Sequence, residues 1–326
     1  VSDEALPATA APAPRSGIDV ARAWPALATV ALAILLAALP LGLQGFWLYS
    51  LGVCFANALG VLAVTVLVRY GGEVSIGHSF FVAAGAYVVA IADRWYGISA
   101  LISLLPAIAF GVLLGIAFAY PSRRLSGIYL AVTTMALALA LPELILQAGP
   151  WTGGFEGLYV STNLLPGVPK PLKQYYFALA VLVAATALVA RLRHSRQGLA
   201  LLTARSHPAA AEAFGTRRDW ARLAVMGISG GLGAASGAAL AFTSSTVSPN
   251  SFTLWSSIFM LVGSVVSVYG LSLGRALIGG AFITLVPQVL AGSGNWIPIF
   301  YGVALLGFIL AGHYLPRWRS AMGRAS

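Results

Sequence analysis

Charge is what this chain has least of. Only 9% of its 326 residues are Asp, Glu, Lys or Arg, and nine of those are acidic. A water-soluble domain carries about 25% charged residues, because its surface has to be clothed in them. With 59% hydrophobic residues and a mean hydropathy of +0.87, this chain has too little polar surface to cover a soluble fold. Lipid must cover it instead. Cysteine is nearly absent too: the single Cys54 excludes an intramolecular disulfide and reads as a small apolar filler. Catalytic and metal patterns are lacking. His78, His194, His207 and His313 are scattered without companion cysteines or carboxylates at ligand spacing. No glycine loop ending in Lys-Ser/Thr and no nucleophile elbow is present, which argues against ATP binding by that device and against a membrane-embedded enzyme.

What is present in quantity is uncharged length. The windows Trp24–Gly45, Phe46–Val68, Ile98–Ser122, Leu125–Pro142, Gln174–Ala190, Leu223–Phe242, Ser251–Gly274 and Ala276–Pro316 contain no charged residue. About 20 apolar residues are needed to cross a hydrocarbon core of about 30 Å as a helix. The last window is twice that length and is broken at Ala291-Gly-Ser-Gly-Asn295, so it reads as two spans. The expected fold is an all-α integral membrane protein of about ten transmembrane helices, at 24–43, 46–69, 77–92, 98–120, 126–147, 174–190, 223–243, 252–269, 275–290 and 296–315. The domain plan is a flexible tail over 1–23, a transmembrane domain over 24–316 and a short tail over 317–326. Trp24–Leu43 is long for a signal-peptide core and lacks a convincing cleavage site, so it is expected to be retained as the first span.

The net charge of +10 would suit nucleic acid, but the basic residues lie between spans rather than along one polar face. Topology accounts for them. Seven arginines fall in the loop 191–222, two more are Arg123 and Arg124, and Arg317, Arg319 and Arg324 sit in the last tail. The drawn spans put all three clusters on one side, which the positive-inside rule makes the cytoplasm, with both termini inside. Lys170 and Lys173 remain in the one long external loop, 149–173. Small-residue spacings at Gly111/Gly115, Gly227/Gly231 and Gly233/Gly237 predict close helix contacts. Tyr70-Gly71…Ser75-Ile-Gly77-His78…Gly85-Ala-Tyr87 finds a weak echo in Tyr269-Gly270…Ser272-Leu-Gly274-Arg275…Gly280-Ala-Phe282, as internal transporter repeats would give.

Two segments invite a functional reading. In the loop 191–222, Pro208 suits a first helical position with Ser206 or His207 as cap, and Gly215 suits the position just past the helix end. Between them lie Ala209, Ala210, Ala211, Glu212, Ala213 and Phe214. Such a short helix is marginal alone in water; bracketed by arginines it reads as an insert for a groove on another protein, or as a solvated turn. The second segment is Arg69-Tyr-Gly-Gly-Glu-Val-Ser-Ile-Gly-His78. Gly72, Glu73, Ser75, Gly77 and His78 put a helix break and polar groups beside a solute or ion path, or else form an ordinary turn in which Glu73 offsets Arg69. Asp93-Arg94 reads as a solvated boundary pair. Glu143, near the outer end of its span, either snorkels outward or faces a polar cavity.

From about Phe55 to Pro316 the chain resembles the LivM-type permease subunits of branched-chain amino-acid ABC importers. The likeness is carried by Gly72-Glu-Val-Ser-Ile-Gly-His78…Gly85-Ala-Tyr87, Arg124-Leu-Ser-Gly-Ile-Tyr-Leu-Ala131, Thr152-Gly-Gly-Phe-Glu-Gly157, Glu212-Ala-Phe-Gly215 and Ser248-Pro-Asn-Ser-Phe-Thr253. The resemblance implies an inner-membrane permease that binds no cofactor itself. It implies a LivH-like second permease, two cytoplasmic ABC ATPases holding ATP and Mg, and a periplasmic or lipid-anchored solute-binding protein, with residues 209–215 as the ATPase-coupling helix. It also departs from the family: Ile128 replaces a frequent Asp, Ala138-Leu139 a Gly-Glu, Glu143 an Arg, Ser267-Val268 a Gly-Gly, and Glu73 the usual Gln. These changes leave the solute open, in a family that includes importers of urea, other amides and aromatic or short-chain acids. The rival reading is a stand-alone secondary transporter with Glu73 or Glu143 as its proton-coupling carboxylate.

Overall fold

The computed structural model describes residues 20–43, 45–122, 127–162 and 167–289, with 296, 299–303 and 306–307 beyond them. Its long helices follow the uncharged windows. They are α1 (Val20–Ala38), α2 (Gly45–Val66), α3 (His78–Tyr96), α4 (Ala100–Ser122), α5 (Ile128–Gln147), α7 (Lys170–His194), α10 (Arg218–Ser244), α11 (Leu254–Val266) and α12 (Leu273–Val289). Three short helices connect them: α6 (Gly149–Thr152), α8 (Arg196–Ser206) and α9 (Pro208–Ala213). Nine expected spans thus fall on described helices. The tenth, 296–315, is described only at 296, 299–303 and 306–307, which are helical, while most of the 1–23 tail, Arg123, Arg124 and the 317–326 tail lie outside the described residues. Among the described residues, six helical segments are long and apolar enough to cross a membrane, and α1 and α12 contribute shorter apolar stretches.

The sequence placed the ends of α7 and α10 too tightly. Both run past the last uncharged residue, to His194 and back to Arg218, because a helix leaving the membrane can continue in water once arginines replace apolar side chains. The loop 191–222 is accordingly mostly helical, with α8 an unforeseen element.

The centre of the bundle is α2 packed against α10. Their most apolar windows are 78% and 83% buried within the chain, against 22% for α4 and 28% for α5. Lipid tails are as apolar as leucine, so association here relies on close backbones and interhelical hydrogen bonds. Both are visible. A methyl group at Gly237 of α10 would stand 1.7 Å from the Val82 carbonyl oxygen of α3, and one at Gly85 would stand 2.0 Å from that of Ala234. Gly111 and Gly115 of α4 press in the same way on Gly230 and Met226. Ser236 and Ser229 of α10 donate to the carbonyls of Ala56 and Ala63 of α2, each at 2.7 Å. The two echoing sequence stretches also play parallel parts: Gly85 seats α3 on α10, and Gly280 seats α12 on α2 at Cys54 and Ala58.

At the end of the bundle away from the 191–222 arginine cluster, β1 (Leu158–Tyr159) pairs antiparallel with β2 (Thr246–Val247). Asp93 is tied to this end. It accepts from the Ser161 amide at 2.7 Å and the Ser161 hydroxyl at 2.5 Å, so it is a fastening for the 149–162 segment rather than a freely solvated boundary residue.

Candidate functional site: a helix break bolted to a surface hairpin

Within the arginine-rich end, the two segments singled out by sequence become one structure. Ser195 turns α7 into α8, its hydroxyl accepting from the Gly198 amide at 3.0 Å. Any side chain at Gly198 would collide with the Leu192 carbonyl, 1.9 Å from its Cβ position, so this corner is closed to other residues. α8 buries Leu201 and Ala204. A sharp turn at His207 then starts α9 on Pro208. His207 occupies the N-cap position but its side chain makes no capping bond, and the Ser206 hydroxyl turns back to the Leu202 carbonyl. The expected side-chain cap is therefore absent. Proline at the first position needs no partner for an amide hydrogen, which is sufficient here.

The end of α9 follows the expectation for Gly215. It adopts φ +82°, the Thr216 amide reaches back to the Ala211 carbonyl at 2.8 Å, and the Gly215 amide to that of Glu212 at 2.9 Å. This is a Schellman closure, which requires the left-handed residue that glycine supplies without strain. Only Ala211 is buried; Ala209, Ala210, Glu212, Ala213 and Phe214 are exposed, Phe214 at 87%. Nearby Trp220 is 64% exposed.

Next to this hairpin, α2 breaks. The five residues that follow it, Leu67–Gly71, form a π-helical turn, and Gly72 leaves it at φ +69°. Residues 73–77 are irregular, and α3 begins at His78. Two arginines of the hairpin region hold the break. Arg205 of α8 donates to the Arg69 carbonyl and lies across Gly72, where a Cβ would meet its Nε at 2.9 Å. Arg222, in the first turns of α10, pairs with Glu73 at 2.6 Å, the side chains 12% and 13% exposed respectively. Glu73 thus pairs with Arg222, not with Arg69. Burial pushes its carboxyl above the ordinary range, opposed by the positive charges of Arg222 and, more weakly, Arg218. Its second oxygen is buried without a partner. A cavity of about 60 Å³ adjoins, lined by Tyr70, Glu73, Arg205, Arg218 and Arg222 among others.

Past Glu73 the chain runs back into the bundle. The Ile76 amide donates to Thr134 of α5 at 3.1 Å, and the Gly77 amide to Ser75 at 3.3 Å. Gly77 has no room for a side chain, its Cβ position lying 1.9 Å from the Thr134 carbonyl oxygen. His78 meets Ser229 of α10 at 2.8 Å. Because that hydroxyl donates its hydrogen to Ala63, the imidazole Nε2 must be the donor, leaving Nδ1 bare, buried and without a partner. Ser229 lies seven residues, roughly 10 Å of helix rise, beyond Arg222 on α10. The break therefore descends from the surface hairpin to well inside the membrane-spanning core. From the other end, the segment after β2 descends too: Phe252 reaches Tyr87 in mid-α3, and Ser257 in the first turn of α11 accepts from the Ser79 amide at 2.8 Å. The starts of α3 and α11 meet there.

Of the residues proposed from sequence for a path, Gly72 and Glu73 sit beside the hairpin, while Ser75, Gly77 and His78 are enclosed by this chain's own helices. Residues 209–215 are at the surface. The sequence reading missed the joining residues, Arg205, Arg222, Thr134, Ser229 and Ser257. Only Arg222 carried a signal, as a charge inside what became the first turns of a membrane helix. Glu143 is exposed on α5, its carboxylate accepting from Gln147 at 3.1 Å.

Residues 46–312 match the family model described as the permease component of branched-chain amino acid transport systems. Among curated proteins, the chain is similar to the high-affinity branched-chain amino acid transport system permease protein LivM of Escherichia coli K12. It is 27% identical over 286 residues, covering 76% of this chain and 63% of that protein. The LivM protein of Salmonella typhimurium LT2 is 26% identical with the same coverage. This chain thus spans less than two thirds of the length of the relatives it matches. No solved structure matches it.

Proposed function

We propose a function from one premise: the chain belongs to the family of permease components of branched-chain amino acid transport systems. It is a multi-pass membrane protein and a transport component. We infer that it is the membrane subunit of an ATP-driven importer for branched-chain or related amino acids, small amides or organic acids. It would work with a second, LivH-like permease, two cytoplasmic ATPases carrying ATP and Mg, and an external solute-binding protein. The arginine-rich end is cytoplasmic in this reading, and both termini lie on that side.

The observation that carries the reading is the junction of the α8–α9 hairpin with the break after α2, made by Arg205 of α8. A short helix exposes Glu212 and Phe214 at the surface, and the hairpin it belongs to holds the break through Arg205. When ATPases close on ATP and push α9, the load passes through α8 and the start of α10 to the end of α2. That helix lies at the bundle's centre against α10, so displacing its end shifts the contacts on which the inward- and outward-open arrangements depend. The rival reading, proton coupling at Glu73 or Glu143, is disfavoured at the first of these by the ion pair that already engages that carboxylate.

The test is the complex purified with Glu212→Arg or Gly215→Trp. Either change should abolish solute-stimulated ATP hydrolysis or release the ATPases, while the membrane bundle stays folded. Gly215 faces open space, so tryptophan there strains the left-handed turn without entering the core. Normal copurification and turnover for both variants would overturn the reading. Proton-driven uptake by the chain alone in liposomes would install its rival.

A further inference from the structure

α5 is packed on one side only. Leu130, Thr134, Ala138, Leu141 and Ile145 are buried, and Thr134 meets the 73–77 break. On the opposite side an unexpected stripe runs down the helix: Tyr129, Thr133, Ala136, Ala140, Glu143 and Gln147. The spacing is four-three-four-three-four, which places all six within about 80° of arc on a helix of 3.6 residues per turn. Five of the six are exposed and Thr133 is half-buried. The apolar exposed residues Val132 and Leu139 lie to one flank. Within its 20 residues α5 has no other ionisable side chain of the Asp, Glu, Lys or Arg type than Glu143. Gln147 donates to one of its oxygens. Among the described residues no cation pairs with it.

A stripe of hydroxyls, alanines, an amide and a carboxylate without a paired cation is a poor surface for lipid: the cost of an ionisable group falls toward the outer end of a span, where Glu143 lies, but such groups within spans normally face a water-filled cavity or a partner group. Irregular backbone at membrane depth is likewise tolerated only where it is buried in protein or lines a cavity. α5 lies directly over the irregular 73–77 segment and also packs near the start of α11. The geometry points to the Tyr129–Gln147 stripe as this subunit's wall of the solute path, with Glu143 as the recognition group for a cationic amino group on the solute, such as the ammonium of an amino acid. Gln147 orients the carboxylate and leaves its second oxygen to the solute. Ala136 and Ala140 keep the wall low where the solute passes, and Tyr129 and Thr133 offer hydroxyls further in. This assignment rests on the transport reading above and extends it to a named residue and a solute chemistry.

The test does not require the solute. In the complete transporter, reconstituted in liposomes, cysteine is placed at Ala140, one turn deeper than Glu143, and probed from outside with membrane-impermeant cationic (MTSET) and anionic (MTSES) thiol reagents. The native Cys54 is 4% exposed and gives little background. Rates are normalised to a free thiol in solution. A unit charge one turn away, in a water-like dielectric, changes the local concentration of a singly charged reagent about threefold in each direction, so the cation-to-anion ratio should be roughly tenfold. Glu143→Gln should bring that ratio close to one, and Glu143→Asp should retain it. Leu139→Cys, on the apolar flank, should stay unreactive. Absence of labelling at position 140 in both nucleotide-free and ATP-trapped complexes would overturn the assignment of the path. A charge ratio unchanged by Glu143→Gln would overturn the role of the carboxylate. Failure of the ATPases to copurify, with position 140 labelled as expected, would instead sink the ATP-driven reading and leave the path standing.

Discussion

Removing the guanidinium from Arg222 is the most informative single perturbation of the junction. Arg222→Met keeps most of the side-chain volume but leaves Glu73 without its partner at 2.6 Å. Breaking a fully buried ion pair this way costs about 3–5 kcal/mol, because the remaining charge is stranded away from water. Here three features lower that figure. Both side chains keep 12–13% of their exposure, and the adjacent cavity of about 60 Å³ has room for a few waters. Arg218 also contributes positive charge toward Glu73. The expected loss is therefore about 2–3 kcal/mol. Glu73→Gln should cost less, about 1–2 kcal/mol, since Arg222 can then turn toward the cavity and its water. The double variant should cost clearly less than the sum, with a coupling of at least about 1 kcal/mol.

The assay is a double-mutant cycle on the purified chain, unfolded by rising SDS fraction in a mild detergent, run beside ATP-driven uptake in the reconstituted complex. Both single variants should reduce uptake by more than they reduce ATPase copurification, because α9 is untouched and only its connection to α2 is cut. Additivity within about 0.5 kcal/mol would show that the two side chains do not hold one another. Full uptake by Arg222→Met would show that the pair, whatever its contribution to stability, carries no motion.

Further expectations follow from the same contacts. Gly72→Leu forces a branched residue to φ +69° and displaces Arg205, so it should impair transport while the complex still assembles; wild-type uptake would return this segment to an ordinary turn. Gly237→Ala places a methyl 1.7 Å from the Val82 carbonyl oxygen and should lower the yield of folded protein severely, whereas Gly97→Ala, which meets nothing within 4 Å, should cost only the strain of its positive φ, about 1–2 kcal/mol. For topology, cysteine at the exposed Phe155 should label from outside sealed cells and cysteine at Ala210 only from inside; external labelling at 210 would reverse the orientation. Position 160 is unsuitable for this purpose because Val160 is fully buried.

The spans were legible in the sequence because lipid imposes a one-dimensional constraint: a crossing helix must be apolar over its whole length, whatever it packs against. The ends of α7 and α10 were not, because that constraint lapses at the interface, where helices continue on arginine and aspartate. Gly215 and Pro208 bounded α9 correctly because each acts through its own backbone. The partner of Glu73 was misplaced for the opposite reason. Arg69 is four residues away in sequence and Arg222 is 149 positions away, so only the packing of α10 on α2 decides between them. Ser229 and Ser257 left no trace at all, since serine is common in membrane helices and a buried hydroxyl bond between distant helices has no local signature.

The same distinction bears on which part of the chain moves. The starts of α3 and α11 come from opposite ends of the bundle and meet at Ser79 and Ser257, whose hydroxyls are 2.7 Å apart and fully buried. This contact is enclosed by this chain's own helices, and beside it α3 is seated closely on α10 through Gly85 and Gly237. Ser75, Gly77 and His78 are buried in this same closely packed region. We propose that the elements that change neighbours during transport are the π-turn after α2, with Gly72 and Glu73, and α5, which is buried on one face only. On the coupling proposed above, a push received at α9 would reach the first through Arg205 and Arg222, and the bond from the Ile76 amide to Thr134 would carry it to the second. On this account Thr134→Val, which keeps shape but removes the acceptor for Ile76, should leave ATPase docking intact and weaken the coupling of ATP hydrolysis to uptake. Unchanged coupling would place the moving element elsewhere than α5.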